Sequence, residues 1–145
     1  MRKKKVLVPL IVLVLAAAGA KFVLAKPAPA GKPKIDGTVY VLPKEFLLNL
    51  SDGRYAKLDV ALVLAPGQAA GGGGEGGAPP PDGFGTLPQE AAVRDVVTDV
   101  VTGQGGDELI SAKGRAHVKS LILAGIRART DVKVTEVLLP DVAVQ

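Results

Sequence analysis

The sequence predicts an α+β domain, helices on a largely antiparallel sheet, carried behind one N-terminal membrane helix. Three observations predict it. Arg54–Leu64 alternates at period two, with Ala56, Leu58, Val60, Leu62 and Leu64 on one face. Val93, Val96, Val97, Val100 and Val101 recur at helical spacing as one apolar stripe. Val6–Ala25 gives 20 residues interrupted only by Lys21, about the length that crosses a bilayer core. The 145 residues suffice for one domain plus an anchor.

Charge divides the chain in two. Residues 1–34 hold eight basic residues and no acid; residues 35–145 hold ten bases against fourteen acids, a net −4. The sequence pI of about 9.4 therefore belongs to the N-terminal segment, and no nucleic-acid partner is expected. The five aromatics, Phe22, Tyr40, Phe46, Tyr55 and Phe84, are too few for a base-stacking platform. The mean hydropathy of +0.30 is high for a wholly soluble domain.

The basic cluster Arg2–Lys5 before the apolar run places residues 1–5 in the cytoplasm and the following domain across the membrane. Lys21 lies near the outer end, where its amine can reach the interface. The same segment also fits a cleaved signal peptide with Ala18-Gly19-Ala20 as its site. Either route exports the domain, and the absence of Cys is compatible with that. Residues 26–37 form a linker, since Lys26–Lys34 carries three prolines in nine residues.

The domain itself is expected over 38–145. Thr38–Leu42 and Glu45–Leu50 are short strand candidates separated by Pro43, which suits an edge or a bulge. Asp52-Gly53 is a two-residue turn signal joining the second to Arg54–Leu64 as a hairpin. Residues 66–82 form a Gly/Pro-rich insert, expected to be flexible, that buries too little apolar surface to offset its ordering entropy. Its Gly71, Gly73 and Gly76 match G-x-G-x-x-G, but Pro79–Pro81 follows where a nucleotide site needs a helix.

Thr86 is the expected N-cap of a helix, with Pro88 in its first turn, Gln89 completing a capping box and Gly103 ending it. Asp107–Ile110 is one helical turn. Ser111 caps a longer helix to about Arg129, with Gly114, Val118, Leu121, Ile122, Gly125 and Ile126 as its buried stripe. Its glycines allow close packing, and Arg127 and Arg129 suit its C-terminal dipole. Val132–Leu139 is a last strand with a bulge at Thr135-Glu136; Pro140 interrupts it, and Asp141–Gln145 resumes as a short edge strand. The expected order is β-β-α-α-β over about 110 residues.

No catalytic, cofactor-binding or metal site emerges. With no Cys and one His, disulfides, cysteine sites and histidine-cluster metal sites are excluded. His117 falls off the apolar stripe as a surface residue, with no constellation that needs a base. Asp95 and Asp99 stand one helical turn apart, but two carboxylates make a thin cation site, and a solvated face is the better expectation. Arg94 diverges from its neighbour Asp95, which leaves it free to pair elsewhere. Asn49 heads a glycosylation sequon, yet before a turn it is the more plausible backbone hydrogen bonder.

Leu42-Pro43-Lys44-Glu45-Phe46-Leu47-Leu48-Asn49-Leu50, followed by Asp52-Gly53-Arg54-Tyr55 and the strand Leu58–Leu64, resembles the opening of the bacterial flagellar FliL family. Val93-Arg94-Asp95-Val96-Val97 is similar to that family's Arg-Asp helix start. Asp107-Glu108-Leu109 with Gly114-Arg115 is similar to its step into the long helix, and Val144-Gln145 to its terminal pair. The tail Val137–Val142 lacks the aromatics usual in the family. The resemblance implies a non-enzymatic basal-body protein of the inner membrane with a stomatin/prohibitin-like extracytoplasmic domain. It further implies a homo-oligomeric ring around the stator unit that supports torque and motility, with no cofactor and no small-molecule substrate. The alternative is an anchored or secreted extracytoplasmic binding module for a small ligand or envelope component.

Overall fold

The computed structural model describes residues 34–71 and 80–145. The expected membrane helix at 6–25, most of the linker, and the G-x-G-x-x-G match beyond Gly71 lie outside the described residues. Among the described residues, no helix is long and apolar enough to cross a membrane.

Seven elements build a two-layer α+β domain: β1 (Thr38–Val41), β2 (Phe46–Asn49), β3 (Tyr55–Leu64), α1 (Glu90–Thr102), α2 (Gly106–Ile110), α3 (Ala112–Arg129) and β4 (Val134–Val144). Three strands therefore precede the helices, and a short third helix stands between the two expected long ones. Every strand pair is antiparallel.

β3 is the centre of the sheet. β1 pairs with its second half (Thr38↔Leu64 to Val41↔Ala61) and β2 with its first half (Phe46↔Leu58 to Asn49↔Tyr55). Because β4 occupies the other edge of β3, β1 and β2 lie end to end on one edge. Pro43, which has no N–H to give a ladder, falls in the break between them. The hairpin loop is longer by one residue than the Asp52-Gly53 signal. Leu50 N donates to Arg54 O (2.8 Å), which leaves Ser51, Asp52 and Gly53 in the loop, with Gly53 at φ 84°.

β4 differs from expectation in an informative way. It runs unbroken through Pro140. Two register shifts explain this, one opposite Val63/Leu64 and one opposite Asp59/Ala61. The first is the expected bulge at Thr135-Glu136, and the second takes in Leu139-Pro140. Each adds one residue to β4 relative to β3, so Val134, Val137, Val142 and Val144 keep facing Leu64, Leu62, Leu58 and Ala56. Without the bulges a one-residue slip would turn valines outward.

The predicted inner face of β3 is buried throughout: Ala56, Leu58, Val60, Leu62 and Leu64 are at most 1% exposed. It packs with Val93, Val96, Val97 and Val101 of α1 and with Val118, Ile122 and Ile126 of α3. Ser111 caps α3 as expected, its hydroxyl accepting from Gly114 N (3.0 Å). A Cβ on Gly114 would lie 2.2 Å from Glu108 O, so the α2–α3 corner closes only around glycine. Gly125 likewise faces Val96 of α1. Leu121 and Gly125 are half-buried at the border of the stripe.

Candidate functional site

The start of α1 is not built as the sequence suggests. Thr86 is not its cap; the Thr86 hydroxyl donates to Ala70 O (2.8 Å) and ties the two flanks of the Gly/Pro-rich insert together. The cap position falls to Gln89, whose side chain makes no cap bond and whose backbone takes the left-handed conformation (φ 58°, ψ 26°). That conformation is uncommon for a residue with a Cβ. The Gln89 side chain holds it there: Nε2 donates to Asp131 Oδ2 (2.9 Å) and Oε1 accepts from Asp131 N (3.0 Å). The helix start is thus clasped to the α3–β4 connection.

The next residue, Glu90, is 4% exposed. Its Oε2 accepts from the Tyr40 hydroxyl (2.6 Å) and from Gly85 N (3.0 Å). Tyr40 points inward because its strand partner is Leu62 of the buried β3 face. Burial, reinforced by the hydrogen bond to Glu90, pushes the Tyr40 phenol above its ordinary value, so it stays a donor. Gly85 is required by space: a Cβ there would meet Tyr40 Oη at 1.9 Å and Pro43 Cγ at 2.8 Å. The other carboxylate oxygen, Glu90 Oε1, is buried and has no hydrogen-bond partner among the described residues. A cleft of about 280 Å³ adjoins this knot, lined by Pro80, Pro81, Phe84, Leu87, Gln89 and Glu90 among others.

Arg94, one turn on, finds the partner that the sequence left open. Its guanidinium donates to Lys44 O (3.0 Å) and lies 4.2 Å from the centroid of the Phe46 ring and 5.9 Å from that of Phe84. It pins α1 to the break between β1 and β2.

The Asp95/Asp99 pair is occupied from within the chain. Arg129 donates to Asp99 Oδ2 (2.7 Å) and also pairs with Asp95, bracing the C-terminal turn of α3 against α1. His117 is exposed, as expected. Among the described residues, no cluster of three or more His, Cys, Asp or Glu residues could hold a metal ion.

A second polar cluster holds the β2–β3 hairpin to the helices. Asp52 Oδ2 accepts from Arg54 Nη2 (2.7 Å), Arg54 Nε (2.9 Å) and Gly106 N (2.7 Å), and Arg54 Nη2 continues to Asp107 Oδ1 (2.8 Å). The Arg54 guanidinium, then the Gly106 and Arg54 amides, hold the Asp52 carboxyl well below the usual carboxylate range. Sequence reasoning took Asp52 only as a turn residue and passed over Tyr40, Gly85 and Glu90. The one local signal was a lone Glu beside a Pro-rich segment.

No curated protein matches the chain. The model of the flagellar basal body-associated protein FliL matches residues 39–145, nearly the whole described domain. That family is a structural component of the flagellum, associated with its basal body and with motility. The chain belongs to the flagellar basal body-associated FliL family.

Proposed function

We propose that this protein is anchored in the inner membrane by residues 6–25, with 1–5 in the cytoplasm and 26–37 as a linker to an extracytoplasmic domain at 38–145. Copies of that domain close a ring around a stator unit and support torque generation and motility, without enzymatic activity. The family match over 39–145 is the observation that carries the reading. The surface gives further support. Val39, Val41, Leu47 and Tyr55 are 45%, 55%, 70% and 57% exposed. They stand opposite Val63, Ala61, Lys57 and Asn49 in the ladders, so all four share the sheet face turned away from the helices. An apolar face of this kind suits a contact-making subunit. A ring needs two different patches per copy that complement each other, and a two-layer domain has distinct surfaces to supply them.

The linker Lys26–Lys34 spans at most roughly 30 Å when extended, about 3.3 Å for each of its residues. Each domain is then confined close to the membrane, where raised effective concentration favours weak lateral contacts. Deletion with complementation tests the role. Cells lacking the protein are expected to lose torque or surface motility and to regain it from the full chain, but not from a chain released at Lys21. Full rescue by the released domain would favour the alternative, an extracytoplasmic binding module, for which the cleft beside Glu90 speaks.

A further inference from the structure

We propose that the cleft over Glu90 is a docking site for a basic side chain, lysine or arginine, of a partner protein. Four observations converge on it. Glu90 is 96% buried, and one of its two carboxylate oxygens is satisfied by Tyr40 and Gly85 while Oε1 has no donor among the described residues. A buried carboxylate oxygen without a donor is costly, and a charged donor is the partner that offsets most. Among the described residues no cation lies within ion-pair distance of Glu90; the ion pairs are made by Arg54, Lys57 and Arg129 with other acids. Arg94, one helical turn away, is taken up by Lys44 O and the Phe46 ring.

The shape agrees with the charge. At about 280 Å³ the cleft falls just below the range of small-molecule sites and suits one long side chain. Pro80, Pro81, Phe84 and Leu87 offer an apolar wall for a methylene stem, and Glu90 is the buried acid among them. The clasp of Gln89 on Asp131 and the absence of room at Gly85 keep the carboxylate in place before anything binds. The net −4 of residues 35–145 favours approach of a basic segment. The proposal does not depend on the ring, because it concerns a site complete within one copy.

The test is amide NMR of the full-length chain in detergent micelles, titrated with a capped Ala-Lys-Ala tripeptide and with the same peptide carrying norleucine, the uncharged counterpart of lysine. The lysine peptide is expected to produce saturable shifts at Gly85, Leu87, Glu90 and Ala91, with affinity at least tenfold above the norleucine peptide. Glu90→Gln keeps the acceptor and removes the charge, and is expected to abolish that tenfold preference. Should Glu90→Gln lose its dispersed spectrum, Ala91→Trp on the exposed rim serves instead and is expected to weaken the lysine peptide tenfold by blocking the mouth. Equal binding of the two peptides, shifts only outside the cleft, no saturable shift at all, or full binding by the folded variant would each overturn the proposal.

Discussion

The two ends of helix α1 are held by opposite means. At its start, one buried carboxylate takes two donors, and a cramped glycine and a left-handed Gln89 surround it. Past its end, the hairpin cluster of Asp52, Arg54, Gly106 and Asp107 is rich in bonds and open to water. Ser51 N adds a bond to Gln104 O (3.0 Å) beside it. Counting bonds would rank the hairpin cluster first. Burial reverses the ranking, because losing one partner of a buried polar group leaves a desolvated atom, while exposed ion pairs exchange partners with water.

That contrast can be broken in order of expected effect. Gly85→Ala should be the most damaging, about 3 kcal/mol or more, since its Cβ would lie 1.9 Å from Tyr40 Oη with Pro43 behind. Thermal unfolding of the two proteins measures it, and a melting temperature unchanged within error would show that the knot yields. Tyr40→Phe comes next, at about 1–3 kcal/mol, because it removes the closer donor to a buried carboxylate.

The same substitution has a pH signature. The folded-state phenol is raised above its ordinary 10.0, so its contribution is fully present below pH 10 and disappears as pH climbs through the raised value. Wild-type stability is expected to fall in that alkaline range more steeply than that of Tyr40→Phe. Chemical denaturation at pH 8 and at pH 10.5 compares them.

Asp52→Asn should cost less than Tyr40→Phe at neutral pH. Its effect belongs to the acid side: a carboxyl held below its usual range contributes stability above the ordinary carboxylate pKa of about 4, and that contribution is lost as pH falls through the lowered value. Acid titration followed by circular dichroism should therefore be shallower in Asp52→Asn than in the wild type. Smallest of all is replacement of residues 72–79 by a short Gly-Ser link. Doubling a loop costs only about 0.6 kcal/mol, and the bonds that close the insert, from Thr86 to Ala70 O and from Lys133 N to Gln68 Oε1, lie outside the deleted stretch. A variant that fails to fold would give the insert a structural role.

What the sequence disclosed divides along the same contrast. Periodic burial was legible, as in the valine stripe of α1, the alternation of β3 and the Ser111 cap, because each depends on neighbours within a turn or a strand. The Thr135-Glu136 bulge was legible for the same reason. The knot at Glu90 was not, since Tyr40 lies fifty residues before it and reaches it only through pairing with Leu62. The N-cap was misplaced at Thr86 because a capping-box spacing cannot reveal that Asp131, forty-two residues on, holds Gln89 in a left-handed turn. Pro140 looked like a stop because an edge-strand bulge is visible only in the register of two strands.

The central claim is that copies of this domain meet one another around a membrane partner, and the absence of cysteine in the chain permits a direct measurement. Single cysteines at Val39 and Leu47 on the open sheet face, and at His117 on α3, are crosslinked in motile cells that carry the protein at its normal level. Ladders extending beyond a dimer at one or more of these sites are the predicted result. Monomers alone at every site, in cells that swim normally and hold abundant protein, would contradict the ring.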